Sequence, residues 1–139
     1  MIATSAWRPA TTQFEAQTAS SHALLFDTDA AHTLGPSPME AVLAALCACT
    51  SVDVVSILQK KREPLTSLVV TAEAEQAPAP PRVFTHITLT YRVGGALSRK
   101  AVEDAVSLSK EKYCSVSIML APSVRIDYVI EYADENPAP

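Results

Sequence analysis

The sequence predicts an α+β fold, and three observations support this prediction. Residues 83–93, "VFTHITLTYRV", alternate apolar and polar side chains, which is typical of a half-buried strand. Residues 37–64 form a long apolar segment that opens with a serine and a proline, the usual start of a helix. The predicted order is strands, long helix, strands, helix, strand, which favours α+β over a parallel α/β fold.

The N-terminal elements are predicted from weaker patterns. Residues 5–18 and 21–28 are strand candidates with a polar turn between them. The long helix follows, with about 25 residues between its N-cap, Ser37, and a basic last turn before Pro64. Between residues 41 and 58 its polar side chains are only Thr50, Ser51, Asp53 and Ser56. We expect such a helix to be covered on most sides, either by its counterpart in a homodimer or by a curved sheet.

The second half of the chain contains the remaining elements. Residues 67–76 are predicted to pair antiparallel with residues 83–93 across a proline-rich loop. A second helix is predicted from its cap, Ser98, to near residue 113, and a short third helix should begin close to Cys114. The alternating residues 123–132 form the last predicted strand. The inward-facing residues of the second helix should be Val102, Ala105, Val106, Leu108 and Ser109.

Size and charge limit the function classes. A chain of 139 residues is predicted to form a single domain, residues 1–139. Its net charge is −4, with neither sign concentrated in a block, so we expect no nucleic-acid partner. The longest apolar run, residues 41–49, is half of a membrane span, and the N-terminus lacks a signal pattern. We therefore expect a cytoplasmic protein without a membrane partner.

The three cysteines are the candidate chemical groups. In a reducing compartment they are expected to be free, buried or redox-active, and no CxxC or histidine cluster predicts a metal site. Cys47 is interpreted as a small apolar core residue. Cys49 shares its helix stripe with Asp53, which predicts a polar pocket beside the thiol. Cys114 lies between two helical segments, where free amides can stabilise a thiolate, although a packed, inert thiol remains an alternative for both residues.

Two thiols that are distant in sequence but meet in space can form a reversible disulfide. Such a pair can reduce a peroxide, because one thiolate becomes a sulfenic acid and the second condenses with it. The segments "SPMEAVLAALCACTSVDVVSIL" and "KYCSVSIML" resemble the OsmC/Ohr family of osmotically induced and organic-hydroperoxide-resistance proteins. This resemblance covers about the last 120 residues and is nearest to the OsmC-like branch.

The resemblance implies an OsmC-like fold. In that fold, long central helices carry the cysteines and pack against antiparallel sheets in an intertwined dimer. It further implies that Cys49 attacks the peroxide and Cys114 resolves the sulfenic acid. Glu40, nine residues before Cys49, matches a family glutamate that pairs with an arginine. Nine residues turn a helix by about 900°, so Glu40 should point away from the Cys49 face. An acid that only complements the helix dipole is the alternative.

The family arginine that activates the thiol has no counterpart at its usual place, the stretch "AQTASSHALLFD". Arg8 is the first candidate to replace it, with Arg92 and Arg125 as alternatives. We predict a peroxidase that reduces organic hydroperoxides, takes electrons from a small or protein-borne dithiol, and needs no cofactor. The alternative is a protein of the same fold that binds a small ligand or senses redox state without efficient peroxidase activity.

Overall fold

The structure is a computed structural model that describes residues 1–133. Its backbone forms two compact units, the first covering Met1–Leu43 and the second beginning at Ala44. The first unit contains three strands, β1 (Ala3–Trp7), β2 (Gln13–Thr18) and β3 (Ala23–Asp27). They form an antiparallel sheet in the order β1-β2-β3, so the predicted strand at residues 5–18 is a hairpin of two strands.

The loop that follows β3 is held by a buried carboxylate. Asp27 is 2% exposed and accepts hydrogen bonds from the Thr12 hydroxyl at 2.6 Å and the Leu34 amide at 3.1 Å. Gly35 is required in this loop, because a Cβ at this position would clash with the backbone carbonyl of Leu25. These contacts fix the path of the chain from β3 towards the long helix.

That helix, α1, spans Pro38–Lys60 and continues from the first unit into the second. The second unit also contains β4 (Ser67–Gln76), β5 (Phe84–Gly94) and β6 (Arg125–Tyr132), in the order β4-β5-β6. The predicted antiparallel pairing of β4 with β5 is confirmed. The expectation of antiparallel sheets is wrong for β6, which runs parallel to β5. A parallel neighbour requires a crossover connection, and three helical segments supply it.

The crossover consists of α2 (Arg99–Leu108), a π-helical segment (Ser109–Tyr113) and α3 (Ser115–Leu120). Ser98 caps α2 as predicted, accepting a hydrogen bond from the Ala101 amide at 3.3 Å. The prediction that Leu108 faces inward is wrong, since its side chain is 37% exposed. The helix geometry changes directly after this residue, and the next residue, Ser109, is fully buried.

The core of the second unit lies on one face of β5. Alternate residues of this strand, from Ile87 to Val93, are at most 1% exposed. The hydroxyl group of Tyr91 on this face contacts Thr50 of α1, which places α1 over the same face. The fully or almost fully buried residues of α1 repeat every fourth position and are Leu46, Thr50, Val54 and Leu58.

The other residues of α1 are half-buried or exposed. Small apolar residues and Val52, which is 68% exposed, form a second stripe that includes Ala44 and Ala48. Among residues 1–133, α1 is the one helix whose length and composition would allow it to cross a membrane. Core helices of globular proteins share both properties, so they are weak evidence for a membrane span.

Candidate active site

The thiols of Cys49 and Cys114 meet in the structure. Cys49 lies half-buried on α1, one position before the buried Thr50, and Cys114 is fully buried at the end of the π-helical segment. Both are free cysteines, and their side chains are in hydrogen-bond contact with each other. The structure therefore brings together two sulfur atoms that are 65 residues apart in the sequence.

The backbone holds Cys114 at a junction between two helical segments, as predicted. Its amide donates to the carbonyl oxygen of Ser109 at 2.8 Å, which closes the π-helical turn. Cys114 is also the N-cap of α3, and its sulfur accepts a hydrogen bond from the Ser117 amide at 3.4 Å. The sulfur position is thus set from both sides by backbone hydrogen bonds.

The expectation of a stabilised thiolate at Cys114 is wrong. Burial, followed by the contact with Cys49 and the negative charge of Asp53, raises the pKa of Cys114 to about 11, although the Ser117 amide opposes this rise. Removal from water disfavours the charged form more than one amide at a six-residue helix favours it. Cys114 is therefore a neutral thiol at physiological pH and can donate its proton to Cys49.

A chain of buried hydroxyl groups lies beside the two thiols. The Ser109 hydroxyl donates to the Asp53 carboxylate at 2.9 Å and lies 2.7 Å from the Thr50 hydroxyl, which in turn is 2.6 Å from the Tyr91 hydroxyl. Because each hydroxyl has one proton, donation to Asp53 orients the whole chain from Tyr91 through Thr50 and Ser109 to the carboxylate. Burial raises the pKa of Tyr91 to about 12, which keeps this donor protonated.

The sequence predicted a polar pocket beside Cys49, but it did not predict the buried hydroxyl groups that are hydrogen-bonded in series to Asp53. Asp53 is half-buried and borders a cavity of about 440 Å³ whose apolar wall includes Ile57, Leu108 and Tyr113. Ser109 is a polar residue at a predicted inward position, and this was the available signal for it, whereas Thr50 was noted only as one of four polar residues in an apolar stretch of the long helix. Their pairing across 59 residues required the tertiary structure.

Cys47 has a separate environment. It is half-buried, and burial raises the pKa of its thiol, while a hydrogen bond from the Ala72 amide of β4 partly opposes this effect. Its position near the strand agrees with the predicted role as a small core residue. Among residues 1–133, no group of three or more His, Cys, Asp or Glu side chains is placed to hold a metal ion.

Glu40 closes the start of α1. Its carboxylate accepts a hydrogen bond from the Ser37 amide at 2.7 Å, and its own amide donates to the Ser37 hydroxyl at 3.1 Å. This reciprocal pair is a capping box. The first-turn acid predicted from the sequence is thus present, with the N-cap as its partner, and α1 begins at Pro38.

Arg8 is occupied within the β1–β2 hairpin. Its guanidinium forms an ion pair with Glu15 at 2.6 Å and a hydrogen bond with Gln13 at 3.2 Å. The hydrogen bond from Arg8 is also the main reason why the pKa of Glu15 is lowered. Arg8 and Glu40, both in the first unit, therefore have different partners. The alternatives Arg92 and Arg125 form ion pairs with Glu131 at 3.8 Å and Asp127 at 2.8 Å.

Sequence comparison identifies relatives over most of the chain. The family model described as OsmC-like protein matches residues 30–129. Protein YhfA from Escherichia coli K12 is 44% identical over 119 residues, which cover 85% of this chain and 88% of that protein. The matched region includes both thiols and the hydroxyl chain between them.

Solved structures share the fold. A hypothetical protein from Aquifex aeolicus is 27% identical, with a TM-score of 0.81 and coverage of 96% of this chain and 97% of that one. The organic hydroperoxide resistance protein OhrB of Bacillus subtilis is 16% identical, with a TM-score of 0.69 and coverage of 94% and 98%. The mixed architecture predicted from the sequence is thereby confirmed as the OsmC/Ohr fold. By its family match and its close relative, the chain belongs to the OsmC family.

Proposed function

We propose that the protein is a thiol-dependent peroxidase that reduces organic hydroperoxides through a disulfide between Cys49 and Cys114. The observation that supports this proposal most directly is the S–H to sulfur contact between the two thiols. The family supports the same chemistry, since several proteins of this fold are named organic hydroperoxide resistance proteins. In this proposal Cys49 is the nucleophile, because it is the more exposed of the two sulfurs.

In the first step, the thiolate of Cys49 attacks the terminal oxygen of the hydroperoxide. The S–O bond forms, the O–O bond breaks, and the released alkoxide takes up a proton and leaves as an alcohol. Two electrons pass from sulfur to the peroxide, leaving Cys49 as a sulfenic acid. The cavity beside Asp53 is lined by Ile57, Leu108 and Tyr113, which suits a substrate with an apolar substituent.

In the second step, the Cys114 sulfur attacks the sulfenic sulfur of Cys49. The S–S bond forms, and the sulfenic hydroxyl leaves as water with the proton of Cys114. A dithiol then reduces the disulfide by two thiol–disulfide exchanges and is itself oxidised to a disulfide. The neutral state of Cys114 suits the resolving role, since this residue gives up its proton only in this step.

Activation of Cys49 requires a cation, and by resemblance to the family we assign this role to Arg8, with Glu40 orienting it. Arg8 would have to exchange its partner Glu15 for a new one, and Glu40 would have to leave Ser37. We further propose a cytoplasmic homodimer in which the exposed apolar stripe of α1 covers its counterpart. Sedimentation analysis at micromolar concentration is expected to give twice the monomer mass of 14.8 kDa.

Turnover of cumene hydroperoxide with dithiothreitol tests the function. The wild-type protein is expected to consume the peroxide catalytically and Cys49→Ser to be inactive. Cys114→Ser, treated with peroxide in the absence of dithiothreitol, should stop after one equivalent with a sulfenic acid that dimedone traps. Cys47→Ser is the matched control, since it removes a thiol from the same helix, and it should remain active. Peroxide consumption by Cys49→Ser at the wild-type rate would contradict the proposal.

A ligand-binding or redox-sensing role is the second candidate, and the ion pair of Arg8 with Glu15 favours it, because this cation is already neutralised. Turnover separates the two roles. Catalytic consumption of the peroxide with a dithiol is expected for the enzyme, and formation of the Cys49–Cys114 disulfide without turnover for the binding or sensing protein.

A further inference from the structure

We propose that Asp53 and Ser109 form a positioning pair that holds Cys114 in register with Cys49 for disulfide closure. The pair is not part of the reacting atoms, and its catalytic consequence rests on the proposed function. The contacts that support it form a closed ring that starts and ends at Cys49. One helical turn of α1 joins Cys49 to Asp53, and Ser109 then connects Asp53 to Cys114.

Ser109 makes this connection because both its side chain and its backbone form hydrogen bonds. Its hydroxyl donates to Asp53 at 2.9 Å and lies 2.7 Å from Thr50, so the side chain is attached to α1 at two points. Its carbonyl oxygen accepts the Cys114 amide at 2.8 Å. A displacement of Ser109 from α1 would therefore move the backbone of Cys114 directly.

Burial makes these hydrogen bonds difficult to replace. Ser109 is 0% exposed and Thr50 is 1% exposed, so water does not reach the contact between these two hydroxyl groups. A hydrogen bond to a charged group is stronger than one between neutral groups, and Asp53 provides the charge at the end of the chain. These hydrogen bonds thus attach α1 to the segment that carries Cys114 and fix its orientation.

The π-helical geometry of Ser109–Tyr113 explains why an attachment is needed. A π-turn contains one more residue than an α-turn and is rarely stable without tertiary contacts. Relaxation of this segment to α-helical geometry would turn Cys114 by about 100°, the rotation of one residue. An S–S bond of about 2.05 Å tolerates little change in the positions of the two Cβ atoms, so this rotation would separate the sulfurs.

The redox equilibrium of Cys49 and Cys114 in dithiothreitol buffers tests the proposal without any peroxide. We expect Ser109→Ala and Asp53→Ala to reduce the equilibrium constant for disulfide formation at least about tenfold, the effect of losing a hydrogen bond to a charged group. Ser107→Ala is the matched control, because Ser107 lies two residues earlier on α2, outside the hydroxyl chain. It should retain the wild-type constant.

Asp53→Asn separates position from charge. The amide oxygen still accepts from Ser109, so disulfide formation should stay within about threefold of wild type. The negative charge near Cys114 is lost, so the pH at which the Cys114 thiolate appears should fall, as measured by ultraviolet absorbance in a Cys47→Ser background. A loss of disulfide formation as large as that of Asp53→Ala would contradict the positioning role of the Asp53 side chain.

The outcomes distinguish this proposal from the proposed function. Equal equilibrium constants for Ser109→Ala and Ser107→Ala would overturn the positioning role, whatever the peroxidase assay gives. A protein without peroxidase activity but with the tenfold loss would retain the positioning pair and lose the enzymatic role. Circular dichroism checks the fold of each variant, and if Ser109→Ala does not fold, the same tenfold threshold applied to Asp53→Ala decides.

Discussion

Cys47 and Cys49 lie two residues apart on α1, both are half-buried, and yet their surroundings differ in kind. Cys47 contacts a backbone amide of β4, at Ala72, and its thiol is kept neutral by burial. Cys49 contacts a second thiol, Cys114, beside a carboxylate and a chain of buried hydroxyl groups. Two residues rotate a helix by about 200°, so the two thiols lie on nearly opposite sides of α1. Their different neighbours in the fold, rather than exposure or local sequence, distinguish an inert thiol from a candidate reactive one.

The largest expected difference is in turnover. Cys49→Ser should lower the rate of cumene hydroperoxide reduction by at least about 1,000-fold, because serine cannot replace the thiolate nucleophile. Cys47→Ser should change it by less than about twofold, since Cys47 has no contact with a second thiol. Initial rates with dithiothreitol measure both. Similar losses in the two variants would remove the distinction between the two sides of α1.

Disulfide mapping sharpens the same comparison. After oxidation with one equivalent of peroxide, peptide mass spectrometry should find Cys49 linked to Cys114 and Cys47 free. The Cys49–Cys114 product should exceed any Cys47 disulfide by more than about tenfold, because the competing thiol would have to leave its strand contact. A dominant link between Cys47 and Cys114 would show that α1 rotates during oxidation.

Alkaline pH should destabilise the reduced protein. The pKa of Cys114 is about 11 in the folded state, above its unfolded value, so the folded state holds its proton longer than the unfolded state. Stability is therefore complete below the unfolded pKa and falls as pH rises towards 11, by up to about 1.4 kcal/mol per pH unit for this group.

Urea unfolding between pH 8 and 11 measures this slope. Cys114→Ala should reduce it clearly. Cys47→Ala should reduce it less, because the pKa of Cys47 is raised without the additional contribution of a second thiol and a carboxylate. An identical reduction in both variants would indicate that burial alone raises the pKa values of the two thiols, with no added effect of Cys49 and Asp53 on Cys114.

The smallest expected effect concerns Tyr91, which is close enough to both Cys47 and Cys114 to interact with them electrostatically. Tyr91→Phe removes the first donor of the hydroxyl chain but leaves Thr50 with Ser109 and Asp53. We expect a loss of about 1 kcal/mol in the free energy of unfolding, typical of one buried hydrogen bond, with peroxidase activity nearly unchanged. Urea unfolding with Tyr128→Phe as the control checks this, and a tenfold loss of activity would instead place Tyr91 in the site.

Several features of the fold could be predicted from the sequence because they depend on local patterns. The alternation in β5 predicted its buried face from Ile87 to Val93, and the serine–proline start predicted α1 to within about two residues. The parallel pairing of β6 could not be predicted, since alternation in a strand reports which face is buried but not the direction of its neighbour.

The sequence by itself determined the family, the helical elements that carry the cysteines, and Cys49 and Cys114 as the candidate pair. Periodicity, capping and motif spacing are properties of the chain and need no knowledge of distant contacts. Only the tertiary structure decided that the two thiols touch, that Ser109 joins Asp53 to Thr50, and that Arg8 pairs with Glu15. The physical reason is that burial, hydrogen bonding and charge at a site depend on residues brought together from distant parts of the chain.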